Sequence, residues 1–174
     1  MRAAVAPRLR SGIAKWREIF SAEADAPEAW RNVAKVLFDA AGILSRECLL
    51  GNTQGDSRAC LVSPVNMLFG MAIETLLKGL VVHRKGKIVC KGKLPHSFTH
   101  HNIERLLREA EVQLKENDLL LLRKLEVYVK WLGKYPVPKT AMENPSRMMA
   151  CATMIPQEWD RASRIFWHIN SMYT

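Results

Sequence analysis

No two cysteines in this 174-residue chain stand as a CxxC pair. Cys48, Cys60, Cys90 and Cys151 are too scattered for a zinc ribbon or a dense disulfide framework, so free thiols in a reducing, cytoplasmic setting are expected. A long uninterrupted apolar run is also missing. The most apolar stretch, Leu61 to Val82, is broken by Pro64, Asn66, Glu74 and Lys78, which argues against a lipid-exposed span and against a membrane partner. The first seventeen residues contain no acid but hold Arg2, Arg8, Arg10, Lys15 and Arg17. Such a pattern imitates an organelle leader or a membrane-surface helix. With Ile13, Trp16 and Phe20 at helical spacing and no small-residue cleavage signal, a basic N-terminal helix over 8–20 is the expected form. No internal repeats are detected, and the absence of convincing period-two alternation argues against a parallel sheet.

What is present is positive charge and helical periodicity. Lys and Arg number 26 against 17 Asp and Glu, a formal charge of +9 that favours polyanionic partners. Asp25-Ala26-Pro27-Glu28 combines a capping residue, an early proline and a carboxylate in the first turn, so a helix begins there. Trp30, Val33, Leu37, Ala41 and Leu44 then form an apolar stripe through about Arg46, and Gly51 to Asp56 reads as a loop. Ser63-Pro64 repeats the start signal. The apolar surface from Met67 to Val81 is broad enough for a central, heavily buried helix reaching about His83.

Arg84 to Lys93 reads as a basic loop or very short hairpin, with Arg84, Lys85, Lys87, Lys91 and Lys93 as candidate phosphate contacts. It has no Walker-type pattern and no aromatic platform. A helix with Ile103, Leu106, Leu107, Ala110 and Leu114 on one face follows a cap region at Ser97 to Asn102. Asn117 marks a break and the next start. Leu121 to Leu132 form a further apolar helix, stopped by Gly133 and Pro136. A proline-containing connection spans 133–155, and Pro156 opens a last helix with Trp159, Ala162, Phe166, Ile169 and Tyr173 facing the core. The sum is an all-α compact bundle of about five or six helices in one domain, 1–174.

Three constellations carry candidate chemistry. His96, His100 and His101 lie near Cys90, but their spacing matches no zinc site, so no metal is assigned and a solvent-facing cluster is favoured. Glu74 and Lys78 stand four apart in the order that suits an intrahelical pair, with partner recognition as the alternative. Arg161 and His168 are seven apart, two helical turns, with Arg164 between them and Trp159 and Phe166 on the other side. A histidine to move protons and an arginine to hold a phosphate are the minimum for metal-free RNA cleavage, and the plainer reading is a cationic solvated face.

The run Gly70-Met71-Ala72-Ile73-Glu74-Thr75-Leu76-Leu77-Lys78-Gly79-Leu80 precedes a variable basic loop. Ser97-Phe98-Thr99-His100-His101-Asn102-Ile103 and a leucine-rich helix come next, and this order resembles the HEPN domains, best over 62–131. The resemblance implies a short helical bundle, commonly a homodimer, RNA-associated, with a cytoplasmic toxin or defence role and an antitoxin-like or other protein partner. A subset of that family cleaves RNA without a metal or cofactor through an Arg followed by His. Arg161 and His168, with six residues between them, fit the outer limit of the four to six that the family's motif spans, although Ala162 stands where a polar residue often follows the arginine. The resemblance thus implies a metal-independent endoribonuclease with catalytic Arg161 and His168. It equally fits a non-catalytic module that binds RNA or a protein, with Glu74, Lys78, His100 and His101 as structural or partner contacts. A structural helical protein without a nucleic-acid role is the third expectation.

Overall fold

The computed structural model describes residues 7–50, 61–132 and 156–174, among which lie six α-helices and no strand. They are α1 (Pro7–Ala24), α2 (Pro27–Leu50), α3 (Val62–Lys85), α4 (Ile103–Glu109), α5 (Glu116–Val127) and α6 (Pro156–Asn170). A 3₁₀ turn at His96–Phe98 precedes α4, and a π turn at Tyr128–Leu132 continues α5. The expected loop at Gly51 to Asp56 and the connection 133–155 lie outside the described residues.

α3 is the axle of the bundle, contacting α2, α4, α5 and α6. It is long and apolar enough to cross a membrane, but most of that surface is spent on neighbouring helices. Two glycines let those neighbours come close. A Cβ at Gly70 would meet Val129 Cγ2 at 2.6 Å and the Leu125 carbonyl oxygen at 3.0 Å, so α5 crosses against bare backbone. One at Gly79 would meet Trp30 Cβ at 2.7 Å and also the Tyr173 hydroxyl. Above α3, Phe38 of α2 stacks on Phe166 of α6 at 4.1 Å and meets Phe69 edge-on at 5.8 Å, joining three helices in one aromatic contact.

Several elements differ from their sequence-based expectation. α1 is present and longer than 8–20, but Trp16 is 64% exposed, so its apolar spacing does not mark a buried face. α2 starts as expected, with Pro27 in the first position where no donor is needed, and runs beyond Arg46 to Leu50. Val33 was expected on its core stripe and is 54% exposed, because Ala34, Ala41 and Cys48 centre the buried face on a different side. Asp25 does not act through a local cap. Its Oδ1 accepts the backbone N–H groups of Ile88 at 2.7 Å and Val89 at 3.1 Å, more than sixty residues along the chain. α4 stops at Glu109 rather than continuing to Leu114: Glu111 takes a left-handed φ of 49°, and Val112 N–H returns to the Leu107 carbonyl at 2.9 Å. α5 begins at Glu116, one residue before the expected cap Asn117.

Candidate functional site

Of the two groups that bear chemistry, the first lies on α3 and the loop before α4. Glu74 and Lys78 are one turn apart on the buried helix, and Lys78 Nζ donates to Glu74 Oε1 at 2.5 Å. His101 Nδ1 sits 2.9 Å from Glu74 Oε2 and 3.2 Å from Oε1. The loop is held for this by Phe98, whose ring meets Trp30 edge-on at 5.3 Å, and by Asn102, whose Oδ1 accepts Arg105 N–H at 2.8 Å and caps α4. One turn of loop therefore splits the adjacent histidines. His101 turns in to the carboxylate, while His100 lies 5.3 Å ring to ring from His96. Partial burial, then the charges of Arg105, His96 and Lys78, hold His100 below the ordinary histidine range.

The intrahelical Glu74–Lys78 pair is thus formed as its spacing suggested, and His101 extends it. The buried head groups of Glu74 and Lys78 touch each other rather than a surface, which favours a structural over a partner-contact role. Among the described residues no three His, Cys, Asp or Glu side chains converge as metal ligands.

The basic loop is divided. Arg84 and Lys85 belong to the last turn of α3, where Arg84 donates to the Ala110 carbonyl and pairs with Glu111 at 3.5 Å, and Lys85 pairs with Glu109 at 3.6 Å. Burial pushes the Glu109 carboxyl up, but hydrogen bonds from Arg105 and Ser97 and the charge of Lys85 outweigh it and hold the group below the usual range. Lys87, Lys91 and Lys93 are exposed around a tight turn, where Cys90 and Lys93 exchange two backbone hydrogen bonds and Lys91 and Gly92 take positive φ. The very short hairpin was therefore the better of the two expectations for 84–93.

The second group lies on α6. Its buried side carries Trp159, Ala162, Ile165, Phe166 and Ile169. Arg161, Arg164 and His168 occupy the opposite side, two turns or about 10 Å from first to last. Arg164 and His168 are exposed; Arg161 is partly exposed, its Nε 3.9 Å from Asp118 Oδ1, a loose pair that leaves much of the guanidinium open. Asp160 of α6 is exposed beside this strip. Beside it stands Trp167, 48% exposed, its inner edge against Phe38 at 5.6 Å and Phe166 at 5.5 Å. Sequence reasoning passed over Trp167; the signal was an aromatic out of phase with the helix's own core positions.

The strip runs toward the basic end of the bundle. Tyr173, just past α6, donates its hydroxyl to the Leu76 carbonyl at 2.5 Å and lies 5.6 Å from the His83 ring, and Arg31 stands over its face at 5.2 Å. Arg31 Nε also donates to Asn170 Oδ1 at 2.8 Å. His168 consequently lies nearer the α3 C-terminus and its basic hairpin than Arg161 does.

Fold and site together define an all-α bundle with an exposed strip of two arginines, a histidine and a tryptophan. No family model, curated protein or solved structure matches the chain, so the HEPN resemblance rests on the residues quoted for it.

Proposed function

We propose that this chain is a HEPN-like, RNA-associated module that engages single-stranded RNA along α6. The observation that carries this reading is the placement of Arg161, Arg164 and His168 on the side of α6 away from its core, with Arg164 and His168 exposed and Arg161 partly so. Two guanidinium groups neutralise phosphates, and the half-exposed face of Trp167 offers a platform on which a base can stack. The formal charge of +9 adds attraction at long range.

In the catalytic form of this reading the ribose 2′-hydroxyl attacks the adjacent phosphate. His168 takes or returns a proton, and Arg161 stabilises the charge that gathers on the phosphorane. Cleavage requires one proton taken from the 2′-oxygen and one given to the leaving 5′-oxygen. A single strip holds one histidine, so a second copy, or a shuttle through the same imidazole, completes the cycle. The open part of the Arg161 guanidinium and the face of Trp167 serve RNA binding in either form.

The deciding measurement is cleavage and binding of a mixed single-stranded RNA in EDTA, comparing the parent with His168→Ala, Arg161→Ala and Arg164→Ala. For the enzyme, cleavage should fall at least roughly a hundredfold in His168→Ala, the scale of one acid–base group. For the binding module, no protein cleaves. Each arginine variant then lowers the slope of log affinity against log salt by about 0.7, one phosphate contact on a single strand. Absence of salt-sensitive binding by the parent would remove both forms and leave a structural role.

A further inference from the structure

α1 stands clear of the bundle through its middle. Ala14 to Ile19 are all exposed, with Trp16 at 64% and Ile19 at 43%, so no side of this stretch is covered. The helix is anchored by its last turn, where Ala24 is buried and its carbonyl accepts Trp30 Nε1 at 2.9 Å. Ile19 and the partly exposed Phe20 follow Trp16 by three and four residues, so the three share one arc. Lys15 and Arg17, about 100° to either side of Trp16, form its two borders. By position on the same helix, Leu9 and Ile13 continue the arc, and Arg8 and Arg10 continue the borders. Glu18 falls on the far side, and Glu23 closes the arc toward the bundle.

We infer that α1 lies along an anionic lipid surface, with Trp16 and Ile19 set into the headgroup boundary. Charge and apolarity together select this occupant. Cations on both borders of an apolar arc reach anionic headgroups while their stems stay with the arc. A nucleic acid would satisfy the cations and stack on Trp16, but it offers nothing apolar to Ile19. The root of α1 adds charge. Asp25 accepts the Ile88 and Val89 amides and so holds the turn bearing exposed Lys87, Lys91 and Lys93 beside it. The interrupted apolar run of α3 bears on crossing a bilayer, whereas an interfacial helix needs no such run, so the expected lack of a membrane partner is revised.

The inference stands apart from the RNA reading, since no residue of the α6 strip takes part. It is tested by co-sedimenting the full chain with vesicles of equal parts phosphatidylglycerol and phosphatidylcholine, and with vesicles of phosphatidylcholine alone. The parent should pellet with the anionic vesicles, lose that binding as salt is raised, and stay in solution with the neutral ones. Trp16→Gln and Ile19→Gln should each weaken binding about tenfold or more, with melting temperature unchanged because both side chains are exposed. Trp16→Phe should keep binding but lose the blue shift in tryptophan emission that anionic vesicles induce in the parent. Arg161→Ala with Arg164→Ala should bind vesicles as the parent does. A parent that ignores anionic vesicles, a Trp16→Gln protein that pellets as well as the parent, or vesicle binding lost with Arg161 and Arg164 would each overturn the proposal. So would a Trp16→Gln protein that melts lower, which gives the arc to the bundle, or one that loses RNA affinity, which gives it to nucleic acid.

Discussion

A carboxylate on a buried helix is costly to place, and Glu74 is tolerated because Lys78 and His101 both answer it. Removing it strands the ammonium of Lys78 among apolar neighbours. Glu74→Leu should therefore lower unfolding free energy by about 3–5 kcal/mol in urea titration, and Glu74→Leu with Lys78→Met should recover most of that loss. A surface-type pair would show no such recovery. Tyr173 sets a second condition. Burial pushes its phenol well above the ordinary value of 10.0, while the hydroxyl donates to the Leu76 carbonyl. The folded state thus holds a proton that the unfolded chain releases near pH 10, so this contribution is complete below that pH and fades as pH rises further. Tyr173→Phe should be less stable at neutral pH and should lose less stability between pH 9 and 11, as read from denaturant midpoints.

At the scale of elements, α4 is the piece whose existence depends most on its ends. Seven residues are too few for a helix to hold by itself. Asn102 supplies the cap at one end, and the left-handed Glu111 turns the chain at the other. Asn102→Ala should cost about 1 kcal/mol in thermal or urea unfolding, with the loss felt locally as faster amide exchange at Glu104 and Arg105. The cap was legible because Asn before an apolar repeat is a local signal. The stop was not, because glutamate in a glycine-like conformation looks like any other helical residue. Helix starts at Pro27 and Pro156 were legible for the same local reason. Val33 was misread because α2 has two apolar faces, and spacing alone does not say which one the bundle covers.

Over the whole molecule, the all-α architecture follows from one consistent period along the chain, and α3 is central because nearly every face of it is apolar. The relation among distant residues was less legible. His101 meeting Glu74, and Tyr173 reaching Leu76, are products of how helices cross, and no spacing in the sequence encodes them. The α6 strip was half legible: its arginines and histidine share a face by helical geometry, whereas the exposure of Trp167 depends on where Phe38 stands. The +9 charge also acquires an address, with Lys87, Lys91 and Lys93 gathered at the end toward which α6 runs.

One oxygen ties that end of the molecule to a distant corner. Asp25 Oδ1 holds the amides of Ile88 and Val89 from the corner where α1 turns into α2. The basic hairpin is therefore tied to that corner as well as shaped by its own positive-φ turn. α1 is a lever eighteen residues long, and the joint is its fulcrum. The corner between the first two helices and the chain's most basic turn are thereby joined through one side chain.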